Sequence, residues 1–396
     1  MSMLSFIRLR DIIYPMNPLY EQSKELHKAH HGKLEIISTV PLADRADLSL
    51  AYTPGVAGVC EAIAQDPSTA RDYTIKRNTV AIVSDGTAIL GLGDLGPLAA
   101  IPVMEGKAAI FKQFGGVDAF PICLDTKDTE EIIKAVKQIA PVFGGINLED
   151  ISAPRCFEIE ERLRKELSIP VMHDDQWGAA TVALAALINA LSLHALAKED
   201  TIVVLSGVGA AGVATGRLLH TYGITKTIFC DSKGIIHSGR TDLTKEKKEL
   251  LAGSTIEERT GGLSEALRDA HVFIGLSKPG VLTKEMIHTM AERPIIFALA
   301  NPTPEILPSD AQDAGVFVMA TGRSDFPNQI NNSLVFPHLF KAMLDHNIPQ
   351  FNNEIFVRVA EALARVVKNP TPENIIPSMF DAGVSSAVYE ATLAKK

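Results

Sequence analysis

Two acidic pairs, Glu149-Asp150 and Asp174-Asp175, each follow directly on an apolar run, and the segment between them reads as one helix. The runs are Val142 to Leu148 and Ile169 to Met172, while Pro154 to Leu167 carries mixed charge at helical spacing. If both runs are parallel strands, a right-handed crossover through that helix sets their carboxyl-terminal ends side by side. Four carboxylates then crowd one sheet edge, where like charges in a poorly solvated cleft need protons or a cation between them. All-oxygen donors favour a hard divalent ion, Mg or Mn, since zinc would want cysteine or more histidine than His173 alone. One acidic pair after a strand is ordinarily a solvated surface feature. Two at matching strand ends point to an ion.

A second constellation begins at the strand-like run Thr201 to Ser206. Gly207-Val208-Gly209-Ala210-Ala211-Gly212 follows, a helical stretch continues to Tyr222, and the next run, Lys226 to Cys230, ends in Asp231. A G-x-G-x-x-G that follows a strand, opens a helix and is succeeded by an acid at the next strand end predicts a dinucleotide site. The glycines let the backbone approach the pyrophosphate, and the helix amino terminus offers it free N–H groups. Asp231 is placed to bind the adenosine ribose hydroxyls, which favours NAD. Lys233, two residues on, can pair with a 2'-phosphate, so NADP stays open.

The elements that position these residues alternate as an α/β protein requires. Thr79 to Val83, Ala119 to Cys123 and Val142 to Ile146 alternate with the helical stretches Lys107 to Phe114 and Thr129 to Ile139. Val272 to Leu276 and Ile295 to Ala300 continue the strand pattern beyond the glycine loop. The expectation is two α/β domains: residues 1–160 for substrate and catalysis, and residues 161–396 as a Rossmann-type doubly wound parallel sheet with C-terminal helices. The active site falls in the cleft between them. Residues 17 to about 75 read as helical and polar, broken by the turn Tyr52-Thr53-Pro54-Gly55, and residues 1–15 as an extension ahead of the fold. Gly178 to Ala197 is uncharged over a membrane-spanning length. Its many alanines, with Thr181, Asn189, Ser192 and His194, suit a helix buried in protein instead.

The 396 residues carry a net charge of -9, with 46% hydrophobic and 21% charged residues and no Lys/Arg cluster, which argues against nucleic acid as a partner. Four widely spaced cysteines without a CxxC pair indicate reduced thiols and a cytoplasmic protein. The string Asn-Pro-Thr-Pro-Glu occurs at Asn301–Glu305, after a strand, and again at Asn369–Glu373, after the helical stretch Glu354 to Val367. The second copy reads as a helix stop, so function falls to Asn301.

These motifs, with Tyr52-Thr53-Pro54-Gly55-Val56-Ala57, Ser84-Asp85-Gly86, Gly91-Leu92-Gly93-Asp94-Leu95-Gly96, Pro102-Val103-Met104-Glu105-Gly106-Lys107 and Asn328-Gln329-Ile330-Asn331-Asn332, resemble the small-subunit bacterial malic enzymes. The resemblance runs from about Asn17 to the carboxyl terminus. It implies a malic-enzyme amino-terminal domain beside the nucleotide domain, a homodimer, and oxidative decarboxylation of L-malate to pyruvate and CO2 with NAD or NADP and Mg or Mn. It further implies Glu149, Asp150 and Asp175 as metal ligands with Asp174 beside them, Lys107 as general base and Tyr52 as general acid. Asn301 and Asn332 orient substrate and nicotinamide, with Asn331 an adjacent candidate. A base for the C2 hydroxyl needs a pKa near neutrality, and a lysine near a divalent cation in a closed cleft can be depressed that far, as is expected of Lys107.

The chain departs from that pattern at four places. Trp177 stands where relatives usually have His, Ala179 where Thr is common, Ala88 where larger members place an arginine, and Lys278 where a small residue is usual. Two rival readings remain at this point. One is malolactic conversion of malate to lactate, disfavoured because familiar malolactic enzymes are longer chains. The other is a catalytically silent NAD-binding regulator, which the intact Tyr52, Lys107, Glu149, Asp150 and Asp175 oppose.

Overall fold

A computed structural model describes residues 18–394; the proposed extension, 1–15, lies outside the described residues. The chain opens with α1 (Pro18–His30), α2 (Arg45–Ala51), α3 (Val56–Gln65) and α4 (Ala70–Tyr73), none of which buries a residue. The helices match the reading of this region, but its polarity does not. Ile36, Ile37, Leu42 and Leu50 are all exposed.

Alternating elements then build the first sheet: β1 (Thr79–Ser84), α5 (Pro97–Gly115), β2 (Asp118–Cys123), α6 (Thr129–Ile139), β3 (Gly145–Leu148), α7 (Arg155–Glu166) and β4 (Val171–His173). The strands are all parallel, in the order β2-β1-β3-β4. Every residue of β1 is buried, as a strand covered on both faces must be. Local chemistry sets the boundaries. Asp128 caps α6 by accepting the Glu131 N–H at 3.0 Å, and the helix turns Ile132, Ile133 and Val136 inward. Strand β3 starts at Gly145 and not at Val142, because Pro141 falls in the 3-10 turn Ala140–Val142 and has no N–H to give a ladder. The sheet runs through His173, past residue 160 where the sequence reading divides the chain.

Helix α8 (Asp174–His194) leads out of this sheet. Its apolar stretch is long enough to cross a bilayer, yet 72% of it is buried inside the protein, which agrees with the alanine-rich reading. After it come β5 (Val203–Ser206), α9 (Ala210–Tyr222), β6 (Thr227–Asp231), β7 (Gly234–Ile235), α10 (Lys245–Gly253) and α11 (Leu263–Leu267). Then follow β8 (Val272–Gly275), α12 (Lys284–Ile287), β9 (Ile295–Ala298), α13 (Pro308–Asp313) and β10 (Val318–Thr321). The second sheet has the order β10-β9-β8-β5-β6-β7, parallel except for the short β7. Strand order reverses between β5 and β8, which opens a crevice at their carboxyl ends. Helices α14 (Phe336–Asp345), α15 (Asn353–Val366) and α16 (Val384–Leu393) complete the chain. The second Asn-Pro-Thr-Pro-Glu lies just beyond α15, in the helix-stop position.

Small side chains on α8 explain how the two sheets are held together. Ala183, Ala186 and Ala190 let neighbouring helices approach closely, and α8 packs against both α9 and α15. One core therefore runs from Val80 and Phe111 through Leu187 to Leu205 and Phe356.

Candidate active site

Leu148 of β3 lies opposite His173 of β4, so the two acidic pairs meet at one sheet edge as their spacing predicts. Asp150 adopts a left-handed backbone, φ 53°, at the turn out of β3. Its N–H donates to Asp175 Oδ2 at 2.8 Å, and its carbonyl accepts from the Ala88 N–H at 3.0 Å. Asp174 and Asp175 form the first turn of α8, where unpaired N–H groups and the positive helix end favour carboxylates.

Lys107 reaches this edge from α5. Its Nζ stands 2.8 Å from Glu149 Oε2, bonds Asp174 Oδ2, and sits 4.2 Å over the Phe336 ring. The side chain is 7% exposed. Burial pulls the ammonium pKa down, but Asp174, Glu149 and Asp175 together overcome it, and the group ends well above the ordinary lysine range. The expected depression belongs to the ion-bound site, and in the protein alone the shift runs upward. The reason is charge count, because one cation faces four carboxylates.

The acids show the complementary strain. Burial, with Asp175 and Glu149 adding repulsion, pushes Asp150 up to about 9. Burial lifts Glu149 and Asp174 to about 7 against the opposing pull of Lys107, and Asp175 to about 6. Asp150 Oδ2 and Asp174 Oδ1 are buried without a hydrogen-bond partner. No three Asp, Glu, His or Cys side chains among the described residues already form a metal cage. Even so, surplus negative charge, all-oxygen donors and orphaned carboxylate atoms are what a hard divalent cation requires, so these residues fit one.

The other sequence candidates are placed less evenly. Asn301 follows β9 in an exposed loop whose carbonyl would lie 2.0 Å from a Cβ at Gly91, so only glycine, at φ +73°, lets the two domains touch there. Asn332 opens a single 3-10 turn, and its Cβ would lie 3.0 Å from a Cβ on Gly178 of α8, beside the carboxylates. Asn331 spends its side-chain oxygen on the Ser333 N–H at 2.9 Å, a capping role. Tyr52 is 66% exposed at the end of α2, and its hydroxyl makes no hydrogen bond to Lys107 or the carboxylates.

Two positioning acids escaped the sequence reading. Glu305, fully buried, accepts the N–H groups of Ser277 and Ala300 at 2.9 and 3.0 Å and so ties the Asn301 loop to the end of β8. Its signal was the final Glu of the first Asn-Pro-Thr-Pro-Glu. Glu160, inside the charged α7, accepts from the His173 N–H at 3.0 Å, Gln176 Nε2 at 3.0 Å and Trp177 Nε1 at 2.9 Å. Trp177 also stacks on Phe356, rings 5.0 Å apart, so this departure from the family packs α8 against α15.

At the second crevice a cavity of about 500 Å³ is lined by Ser206, Gly207, Gly209, Asp231, Ser277 and Lys278, among others. A Cβ at Gly207 would strike the Leu276 carbonyl at 2.3 Å, and one at Gly212 the Gly207 carbonyl at 1.9 Å. At Gly209 it would enter open space, the room a pyrophosphate needs. Val208 is buried in the loop, and Ala210 and Ala211 open α9. Asp231 is already engaged. Arg240 grips it bidentately at 2.8 and 2.9 Å, Lys247 bonds it at 2.6 Å, and the Lys233 N–H bonds it at 2.9 Å. Burial pushes the Asp231 carboxyl up, but these donors hold it at about 2. Lys233 turns its ammonium to Asp242 at 2.8 Å, and Arg240 and Lys247 are the side-chain cations bonded to Asp231.

A glycine-loop nucleotide sheet facing a second α/β sheet with a buried lysine–carboxylate cluster defines a two-domain dehydrogenase. Residues 31–164 match the malic enzyme N-terminal domain and residues 177–394 the malic enzyme NAD binding domain, and the chain belongs to the malic enzyme family. It is 51% identical over 376 residues to the bifunctional malic/malolactic enzyme of Bacillus subtilis, covering 94% of this chain and 92% of that one. It is 55% identical to the NAD-dependent malic enzyme of Geobacillus stearothermophilus, covering 91% and 76%. The crystal structure of the NAD-dependent malic enzyme of Thermotoga maritima superposes with a TM-score of 0.91 at 46% identity, over 93% and 98% of the chains. The Bacillus relative corrects one argument from the sequence: a chain of nearly this length carries the malolactic name, so length does not disfavour that activity.

Proposed function

We infer that the chain oxidatively decarboxylates L-malate to pyruvate and CO2 and passes the hydride to NAD or NADP. The observation that carries this is the buried Lys107, held among four carboxylates beside a nucleotide crevice, in a chain about half identical to malic enzymes along nearly its whole length.

Glu149, Asp150 and Asp175 hold Mg or Mn in this reading. When bound, the ion neutralises the carboxylates and draws electrons from the C2 oxygen of malate, which eases hydride loss and then departure of the C4 carboxylate. With an ion bound, the carboxylates that hold Lys107 charged would be offset, and the amine, its Nζ fixed by Asp174, would then accept the C2 hydroxyl proton as hydride leaves C2 for the nicotinamide. Asn301 and Asn332 orient substrate and nicotinamide through their amides. After CO2 departs, C3 of the enolate takes a proton from the Tyr52 hydroxyl, and the resulting phenolate is recharged through Lys107. NAD is the preferred carrier, because Asp231 lines the cavity and repels a 2'-phosphate, whereas Arg240 and Lys247 are spent on Asp231 and do not line the cavity. A cytoplasmic setting fits four unpaired thiols.

The test follows reduced nicotinamide with L-malate and Mn, NAD and NADP in parallel, and identifies the product. Pyruvate equal to NADH formed is expected. The second reading, malolactic conversion, is favoured by the Bacillus relative's name and calls for lactate without NADH accumulation.

A further inference from the structure

The buried carboxylate of Glu160 borders a second cavity that the chemistry above does not use. About 460 Å³ of space is lined by Glu160 and Arg164 of α7, Gln176 and Trp177 of α8, Arg217 of α9 and Lys245 of α10, among others. Helix α7 belongs to the first sheet, and α9 and α10 to the second. The cavity therefore lies between the two units.

Two of its wall groups are acceptors with capacity to spare. Glu160 is 4% exposed and takes three neutral donors, the His173 N–H, Gln176 Nε2 and Trp177 Nε1, and no ion pair reaches it among the described residues. Gln176 is fully buried, gives its amide N–H to Glu160 and leaves Oε1 without a partner. A buried carboxylate without a counter-ion and a buried carbonyl without a donor both call for a cation that carries N–H groups. The cations already on the wall are spent elsewhere. Lys245 and Lys165 meet Glu161 at 3.4 and 2.6 Å, Arg217 meets Glu249 at 2.6 Å, and Arg164 bonds the Phe351 carbonyl. The volume suits a small organic molecule better than a bare ion.

We propose that this cavity binds a small organic ligand through a protonated amine, with the ammonium set between the Glu160 carboxylate and Gln176 Oε1. Occupancy is linked to the acidic edge, because Glu160 and Gln176 hold the turn that carries Asp174 and Asp175. A filled cavity steadies that turn, so an ion there binds more tightly, and by linkage the ion-loaded protein binds the amine more tightly. The binding site stands on its own geometry; only the link rests on reading Asp175 as an ion ligand.

Trp177 is the chain's single tryptophan and lines the cavity, so its fluorescence reports occupancy. Propylamine hydrochloride and β-alanine should each change it saturably, with dissociation constants of about 1–10 mM, as ligands of so few atoms allow. Propionate and tetramethylammonium, which lack an N–H cation, should not. Tighter binding of β-alanine marks a zwitterion as the occupant and tighter binding of propylamine a plain amine, and either order supports the site. No saturable response to either amine overturns it. Glu160→Gln removes the charge and Gln176→Leu the free acceptor, and each should weaken amine binding by about 10-fold. NAD binding checks that each variant is folded; where one fails that check, the other decides. Undiminished amine affinity in a folded variant also overturns the site. For the link, Mn titration with saturating propylamine should show about 3-fold to 10-fold tighter binding than without it. Unchanged Mn affinity refutes the link. Failure of Mn to bind in either state counts against the ion reading instead, while the fluorescence result stands.

Discussion

The two acidic regions of this chain solve opposite problems. At the first sheet's edge four carboxylates share Lys107, and their pKa values rise to between about 6 and about 9. At the second sheet Asp231 is met by Lys247 and by Arg240, which it shares with Asp242, and falls to about 2. Both sites are carboxylates at the ends of parallel strands, so position in the fold does not separate them; local charge balance does. The under-compensated edge has negative charge to spare, and the over-compensated one keeps a fixed negative charge on the lining of the glycine-loop cavity.

If the first edge depends on its lone cation, removing Lys107 should have the largest effect. Lys107→Ala is expected to lower kcat by about 1,000-fold while NAD still binds, measured by steady-state kinetics beside nucleotide titration. Wild-type turnover would take Lys107 out of the mechanism. The next effect concerns the ion. Asp175→Asn removes one charged donor, and Mn affinity in direct titration should weaken about 100-fold, with activity partly restored by excess Mn. Unchanged Mn affinity would remove Asp175 from the ligand set.

The sequence made the first region legible and the second only half so. Glu149-Asp150 and Asp174-Asp175 announce themselves because each follows a strand, and parallel pairing leaves their ends no other place to go. Lys107 is visible only through its motif; that it is held charged depends on a balance of burial and three acids that no local pattern encodes. Arg240 and Lys247 come nine and sixteen residues after Asp231, from separate elements that fold back on it. Glu160 hides among the charges of α7 and reads as surface until β4 and α8 close over it. The exposure of Tyr52 is illegible for another reason: its motif suggests a role but not a depth, and α2 buries none of its residues.

The second region can be broken through its cofactor. Asp231→Ser frees Arg240 and Lys247 to meet a 2'-phosphate, and the ratio of kcat/KM for NADP to that for NAD should rise by about 10-fold to 100-fold. An unchanged ratio would mean that Asp231 does not face the ribose.

The smallest effect tests the low pKa of Asp231 itself. Its carboxyl is held at about 2 when folded and titrates near the ordinary 3.8 when unfolded, so the unfolded chain binds the extra proton. That contribution is therefore complete above roughly pH 4 and disappears as the pH falls toward about 2. The carboxylate is partly solvated, so the pair with Arg240 and Lys247 contributes about 1 kcal/mol rather than the full value of the shift. Denaturant unfolding of wild type and Asp231→Asn should differ by about this amount at neutral pH and converge as the pH falls to about 2, in metal-free buffer so that ion binding at the first edge does not intrude. A gap that stays constant down to pH 2 would show that the aspartate contributes through packing and not through its charge.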